Sequence, residues 1–318
     1  MDRIPFRKIL TWTAYPSFFV VCFLFFAYKT FPYERLANRI VHEAAVRGYQ
    51  IEIIDLTHSG LTGLTFEGLR WIVPSEEEGS PPLDLIFDEL TVSTSIFSLI
   101  SETKSYSFDA ELAGGDADGD ITVGEEDFEV DIEIDEVDLG VLPALRRYTK
   151  IPLGGTISGE IVLAMPSEVA ESTGNIAVTI ERLSLGDGKS KLEIPDWGGL
   201  TLDRAEAGNL ELTVTIEEGV ANIERATARG KDLELEALGK VRLLRPLKRS
   251  DLNVMVRAKV QDAYKERSPK VATMLELASS GLKAAQTEDG AIQYTIAGAV
   301  GGRLRPKAAG KRTFQAPK

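Results

Sequence analysis

Asp116, Asp118 and Asp120, with Asp127 farther on, are the residues whose spacing comes nearest to chemistry, since alternate carboxylates of this kind open a calcium loop. The match fails at the sixth position, where Ile121 stands in place of the glycine that the sharp turn requires. Asp118-Gly119 reads more simply as a hairpin tip. The two histidines, His42 and His58, sit in unlike contexts, and the one cysteine, Cys22, lies in a hydrophobic run, so neither a cysteine metal site nor an internal disulfide is available. No G-x-S-x-G elbow, Walker loop, H-E-x-x-H or C-x-x-C is present. The other carboxylates alternate along segments that read as wet strand faces, where acid–base catalysis has no perturbed group to use. The expectation is a protein without an active site, a cofactor or a metal.

These carboxylates are unevenly placed. Residues 49–140 carry 24 Asp and Glu against only Arg70 and Lys104, whereas the segments on either side are net basic. A field of that sign repels nucleic acid and attracts cations or basic partners; its simplest role is a solvated face that keeps an edge-rich sheet soluble.

From Ile9 to Tyr28 twenty residues carry no charge, and as a helix at about 1.5 Å per residue they reach about 30 Å, one hydrocarbon core. Trp12 and Tyr15 at one end and Tyr28 at the other suit the interfacial belts, while Phe18, Phe19, Leu24, Phe25 and Phe26 supply the apolar surface. The run exceeds the apolar region of a cleaved signal peptide, and Ala27-Tyr28-Lys29 is no cleavage site. Arg3, Arg7 and Lys8 before it balance Lys29, Arg35 and Arg39 after it, so the α-amino group with Glu34 and Glu43 tips the N-terminus inward. The organisation expected is a cytoplasmic tail at 1–8, a transmembrane anchor at 9–30, an extracytoplasmic β-rich domain at 31–302 with possible halves 31–150 and 151–302, and a disordered basic tail at 303–318.

Beyond the anchor the period of the sequence decides the fold. Leu36, Ala37, Ile40, Val41 and Ala44 recur at helical spacing between Tyr33 and Gly48. Thereafter the period is two: Phe128, Val130, Ile132 and Ile134 alternate with Glu129, Asp131, Glu133 and Asp135, which predicts a strand apolar on one side only. Ile176, Val178 and Ile180 repeat the layout, as do Leu210, Leu212, Val214 and Ile216; Leu233, Leu235, Ala237, Val241 and Leu243; Leu252, Val254, Val256, Ala258 and Val260; and Ile292, Tyr294, Ile296 and Val300. Gly154-Gly155, Gly174-Asn175, Asp187-Gly188 and Glu218-Gly219 read as the turns between them. A second helix is expected after Tyr264, with Ser268 as N-cap, Pro269 at its first position and Val271, Met274, Leu275, Ala278 and Leu282 on one face.

The fold class expected is therefore mainly β, an N-terminal transmembrane helix followed by a curved antiparallel sheet with two or so helices. The apolar side must either close on itself, as in a barrel or sandwich, or stay open as a groove that receives lipid or another protein; two helices are too few to cap so broad a sheet, which favours a curved, partly open one. Phe128, Val130, Ile132, Ile134, Leu210, Leu212, Val214, Ile216, Leu252, Val254 and Val256 are the candidate groove face.

The chain resembles the type II secretion system protein N (GspN) family and, more distantly, the AsmA-like periplasmic proteins. Ile51–Leu69 and Phe87–Ile100 are similar to the strand-and-turn entry of AsmA-like domains, Ile151–Pro166 to the Gly-marked strand that opens the second half, and Gly208–Val256 to the C-terminal half of GspN-like proteins. The resemblance implies that the curved sheet is an AsmA-like groove or partly open barrel, and it transfers no catalytic residue. It implies a single-pass inner-membrane protein with its C-terminal domain in the periplasm of a diderm bacterium, acting in protein transport as an accessory subunit of a type II secretion system, through contacts with other secretion-system proteins. The alternative is a lipid carrier whose groove takes phospholipid. Membrane lipid, through the anchor, is a partner in both readings and nucleic acid in neither.

Overall fold

The computed structural model describes residues 15–20, 22–23, 25–26, 29–73, 82–142, 151–194, 198–276, 280–302 and 304–316. Period-two alternation becomes strand after strand: β1 (Gln50–Glu52), β2 (Asp55–Ser59), β3 (Gly63–Val73), β4 (Leu83–Thr94), β5 (Lys104–Leu112), β6 (Gly115–Val123), β7 (Phe128–Asp138), β8 (Leu153–Met165), β9 (Thr173–Leu185), β12 (Ala205–Glu217), β13 (Val220–Arg229), β14 (Leu233–Arg242), β15 (Asp251–Val260), β16 (Ile292–Ala299) and β17 (Arg305–Ala308). They form one 15-stranded antiparallel sheet, in which each strand from β3 to β9 and from β12 to β17 pairs with its neighbours in sequence and both β1 and β2 pair with β3. β10 (Lys191–Ile194) and β11 (Gly198–Thr201) form a separate two-stranded ribbon between β9 and β12. The protein is mainly β, as the alternation requires, and among the described residues no pairing joins the β1 margin to the β17 margin, so the sheet is open.

The division at residue 150 is not a break in the sheet, because β7 and β8 are paired from Phe128↔Met165 to Asp138↔Thr156. Several expected turns are also corrected. Asp118-Gly119 lies inside β6, with Asp118 opposite Asp109, and the β5–β6 tip is instead Ala113-Gly114, both at positive φ. Gly154-Gly155 and Gly174-Asn175 fall within β8 and β9. Gly159 in β8 shows why glycines enter these strands: a Cβ there would lie 2.2 Å from the Ala177 carbonyl oxygen, so no larger residue permits the approach of β9. Glu218-Gly219 does form the β12–β13 turn.

Five α-helices are described from Tyr33 onward. α1 (Tyr33–Val46) turns Tyr33, Leu36, Ala37, Ile40, Val41 and Ala44 inward, the spacing read from the sequence, and packs on β1 and β2. α2 (Ile96–Ile100) links β4 to β5. α3 (Asp262–Arg267), α4 (Pro269–Glu276) and α5 (Ser280–Ala285) fill the β15–β16 connection. The second helix thus begins at Pro269 as expected, and the Ser268 hydroxyl in front of it donates to Asp203 Oδ2 at 2.6 Å. Ala278 lies outside the described residues.

The basic C-terminal segment is not the disordered tail that composition suggests. Arg305–Ala308 pairs with Tyr294–Ala297, Ala309 is buried, and the Gln293 side-chain amide donates to the carbonyls of Ala309 and Arg312. At the other end of the chain Phe18, Phe19, Phe25 and Phe26 are helical and 57–71% exposed. Trp12 and Leu24 lie outside the described residues, and among those described no helix is long and apolar enough to cross a membrane.

Candidate functional site

Cross-strand partners share a face, so the strand registers show where the apolar side chains go. One row runs Leu64, Val92, Phe108, Gly119, Ile132, Ile161, Ile176, Val214, Ile223, Gly239, Val254, Ile296, Pro306, each residue directly opposite the next. Every member is apolar or glycine. A second row runs Tyr106, Ile121, Val130, Leu163, Gly174, Ile216, Ala221, Val241, Leu252. At about 4.8 Å between strands, the first row stretches roughly 58 Å.

All eleven residues of the candidate groove face lie on this side of the sheet. Phe128, Val130, Ile132 and Ile134 share it with Leu210, Leu212, Val214 and Ile216 through β8 and β9, and with Leu252, Val254 and Val256 through β13 and β14. Their surroundings differ. From β12 to β15 the face is packed: Val214, Ile216 and Ala221 form a buried cluster with Ile176, Leu212 and Val241. Leu183, Ala207 and Ala228 form a second cluster, and Tyr264 and Val271 of α3 and α4 close a third over Ala205. From β4 to β7, by contrast, Val92, Phe108, Ile121, Phe128, Val130, Ile132 and Ile134 remain half-buried.

The reverse face carries the acid. Asp55, Glu67, Glu89, Glu111, Asp116 and Asp135 are successive cross-strand partners from β2 to β7, all exposed, and Asp109, Asp118, Glu133 and Glu160 form a parallel row from β5 to β8. Asp116, Asp118 and Asp120 are thus spread along one strand, each opposite a different residue. Like charges facing one another destabilise a strand pair, and water on this side screens them. Arg70 is the cation at the margin of the acid field: its guanidinium donates to both oxygens of Asp84 at 3.0 and 2.8 Å and, through that hydrogen bond first, holds the carboxyl below its usual range.

One buried polar cluster fastens the C-terminal helices to the sheet. Asp232, fully buried, accepts from the Glu206 backbone N–H at 2.8 Å and from Arg267 at 2.6 Å. Burial alone would raise its pKa; the Arg267 hydrogen bond, the Glu206 N–H and the charges of Arg267 and Lys231 outweigh it and hold the carboxyl down. The Tyr264 hydroxyl donates to the Asp203 carbonyl at 2.6 Å, and burial followed by the nearby Asp203 and Asp232 charges pushes that phenol up. The partners are 26 to 65 residues apart in sequence, so sequence reasoning missed them. Tyr264, Arg267 and Ser268 of the helical segment each bond to the connections that lead into β12 and β14, which makes the cluster a lock and leaves the apolar face as the candidate site.

No family model, curated protein or solved structure matches the chain.

Proposed function

We propose that this protein is a non-enzymatic component of a bacterial cell envelope, anchored in the inner membrane by residues 9–30, whose periplasmic sheet curves into a trough that receives the acyl chains of phospholipid. The observation that carries the proposal is the row of apolar residues and glycines from Leu64 to Pro306, left half-buried and outside the packed clusters from β4 to β8. Apolar surface left in water costs about 25 cal/mol per Å², so a face of this extent favours an apolar occupant. An acyl chain needs no directional partner, and the row offers none. The test is lipid extraction from the purified full-length chain followed by mass spectrometry. Stoichiometric phospholipid that survives detergent exchange is the expected result, and a yield no higher than that of the same chain carrying Ile132→Glu and Ile161→Glu overturns the reading.

A second reading, an accessory subunit of a type II secretion system that works by protein–protein contact, is favoured by the segment Gly208–Val256. The glycine and polar positions that resemble GspN-like proteins bracket four consecutive strands, β12 to β15. Affinity capture of the anchored chain from native membranes recovers inner-membrane secretion components if this reading holds; capture of none, with normal protein export in a deletion strain, removes it.

A further inference from the structure

Registers define two ends of the sheet, and one of them is marked by exposed apolar side chains next to the point where the N-terminal segment arrives. The β2–β3 turn presents Leu61 at 81% exposure, and α2, which links β4 to β5, presents Ile96, Phe97 and Ile100 at 56, 80 and 83%. The two loops are joined, because the Thr62 hydroxyl donates to the Thr94 carbonyl. They are also held firmly. Ser95 Oγ accepts from the Ser98 N–H at 2.9 Å, and Lys104 Nζ donates to the carbonyls of Ser98 at 3.1 Å and Ser101 at 2.7 Å, which fixes α2 from both ends. Four large apolar groups are thus displayed in water on an ordered tip, an arrangement that costs stability unless something covers them.

The chain itself indicates what covers them. Helical and exposed Phe25 and Phe26 lead through Phe31 to Tyr33, the Phe31 and Tyr33 rings lie 5.0 Å apart, and Tyr33 stacks on His58, three residues before Leu61. The hydrophobic N-terminal run therefore reaches the sheet at the end that carries the apolar tip.

We propose that Leu61, Ile96, Phe97 and Ile100 enter the outer leaflet of the membrane that holds the anchor, seating the open section of the apolar face directly on the bilayer. This rests on the reading of residues 9–30 as a membrane anchor. Its occupant is a phospholipid bilayer surface, and the tip does by wedge what the anchor does by tether: it fixes the orientation of the sheet, so that an acyl chain leaving the leaflet meets Val92, Phe108 and Tyr106 without crossing water.

The experiment places an environment-sensitive nitrobenzoxadiazole label on single cysteines in the full-length chain, with Cys22→Ser as background, reconstituted in vesicles of equal parts phosphatidylethanolamine and phosphatidylglycerol. Labels are put at Phe97→Cys and Leu61→Cys in the tip, at Phe19→Cys in the anchor and at Asp118→Cys on the acid face, all at exposed positions. Positions 97 and 61 are expected to show blue-shifted emission and loss of intensity to spin-labelled lipids that quench near the headgroups, position 19 loss of intensity to lipids spin-labelled deep in the acyl chain, and position 118 neither. Wet, unquenched labels at 97 and 61 beside a quenched label at 19 overturn the tip and leave the anchor standing. Quenching at 97 and 61 without quenching at 19 supports the tip and overturns the anchor.

Discussion

The Tyr33 ring lies nearly parallel to the His58 imidazole, with centroids 5.6 Å apart and planes 19° from parallel. It pins the first turn of α1 to the end of β2, and a T-shaped contact between Tyr49 and Trp71 at 6.1 Å holds the chain just beyond the helix. Between those two points α1 covers the margin of the apolar face. Tyr33→Ala is therefore expected to lower stability by about 1 kcal/mol and to speed amide exchange throughout Tyr33–Val46. Hydrogen exchange by mass spectrometry checks this, and unchanged protection of α1 is the contrary result.

Ile132 and Ile161 are direct cross-strand partners in the open half of the apolar row. Two carboxylates there put charge into the path proposed for acyl chains, so Ile132→Glu with Ile161→Glu should abolish retained phospholipid. Both positions are half-buried, and the chain should still give a β-type circular dichroism spectrum. An unfolded double variant shifts the test to Val130→Asn, which removes apolar surface and adds no charge.

Asp232, just before β14, bonds to the Glu206 backbone and to Arg267. Asp232→Ala leaves the Glu206 N–H buried without its acceptor, which costs about 2 kcal/mol. Arg267→Ala acts in the same direction by leaving a buried carboxylate without its cation. Chemical denaturation of the three proteins measures both effects, and equal midpoints count against the lock.

Asp232 and Asp84 are both held below the ordinary carboxylate range in the folded chain. A group depressed in this way stabilises the fold above its unfolded pKa of about 4, and the contribution is lost as pH falls through the folded value. The denaturation midpoint of the wild-type chain should exceed that of Asp232→Asn by a constant margin from neutral pH down to about 5. Below about 4 the margin should shrink. A margin that is flat down to pH 2 contradicts the assignment.

Glu111 lies between Glu89 and Asp116, directly opposite each on neighbouring strands. Glu111→Gln removes two like-charge contacts and should stabilise the chain by roughly 0.5 kcal/mol at low salt. The gain should fade as salt screens the wild-type row. Melting curves at two ionic strengths read the difference.

Alternation made most of the sheet legible before any coordinates: Phe128–Ile134, Leu210–Ile216 and Leu252–Val260 are strands with the face assignments their sequence dictates, and Leu36 to Ala44 gave α1 its inward side. What escaped was set by tertiary register. Asp118-Gly119 has turn chemistry, yet pairing with Asp109 on one side and Glu133 on the other keeps it extended, while the tip falls at Ala113-Gly114, where Ala113 gives no local signal. The basic composition of 303–318 pointed to solvent, but free edge groups of β16 and the Gln293 amide draw Arg305–Ala308 into the sheet. The Asp232–Arg267 pair spans 35 residues and has no periodicity to betray it. The apolar sides of β7, β12 and β15 were readable, because period two fixes them strand by strand; the division of the face into a packed half and an open half was not, since that depends on where α3 and α4 come to rest.

Because the sheet grows strictly by adding the next strand in sequence beside the last, from β3 through β9 and again from β12 to β17, its breadth behaves as a ruler. Inserting or deleting one hairpin changes the span by about 10 Å without rewiring any other pairing, so the gap that such a molecule bridges is adjustable by the simplest of gene rearrangements.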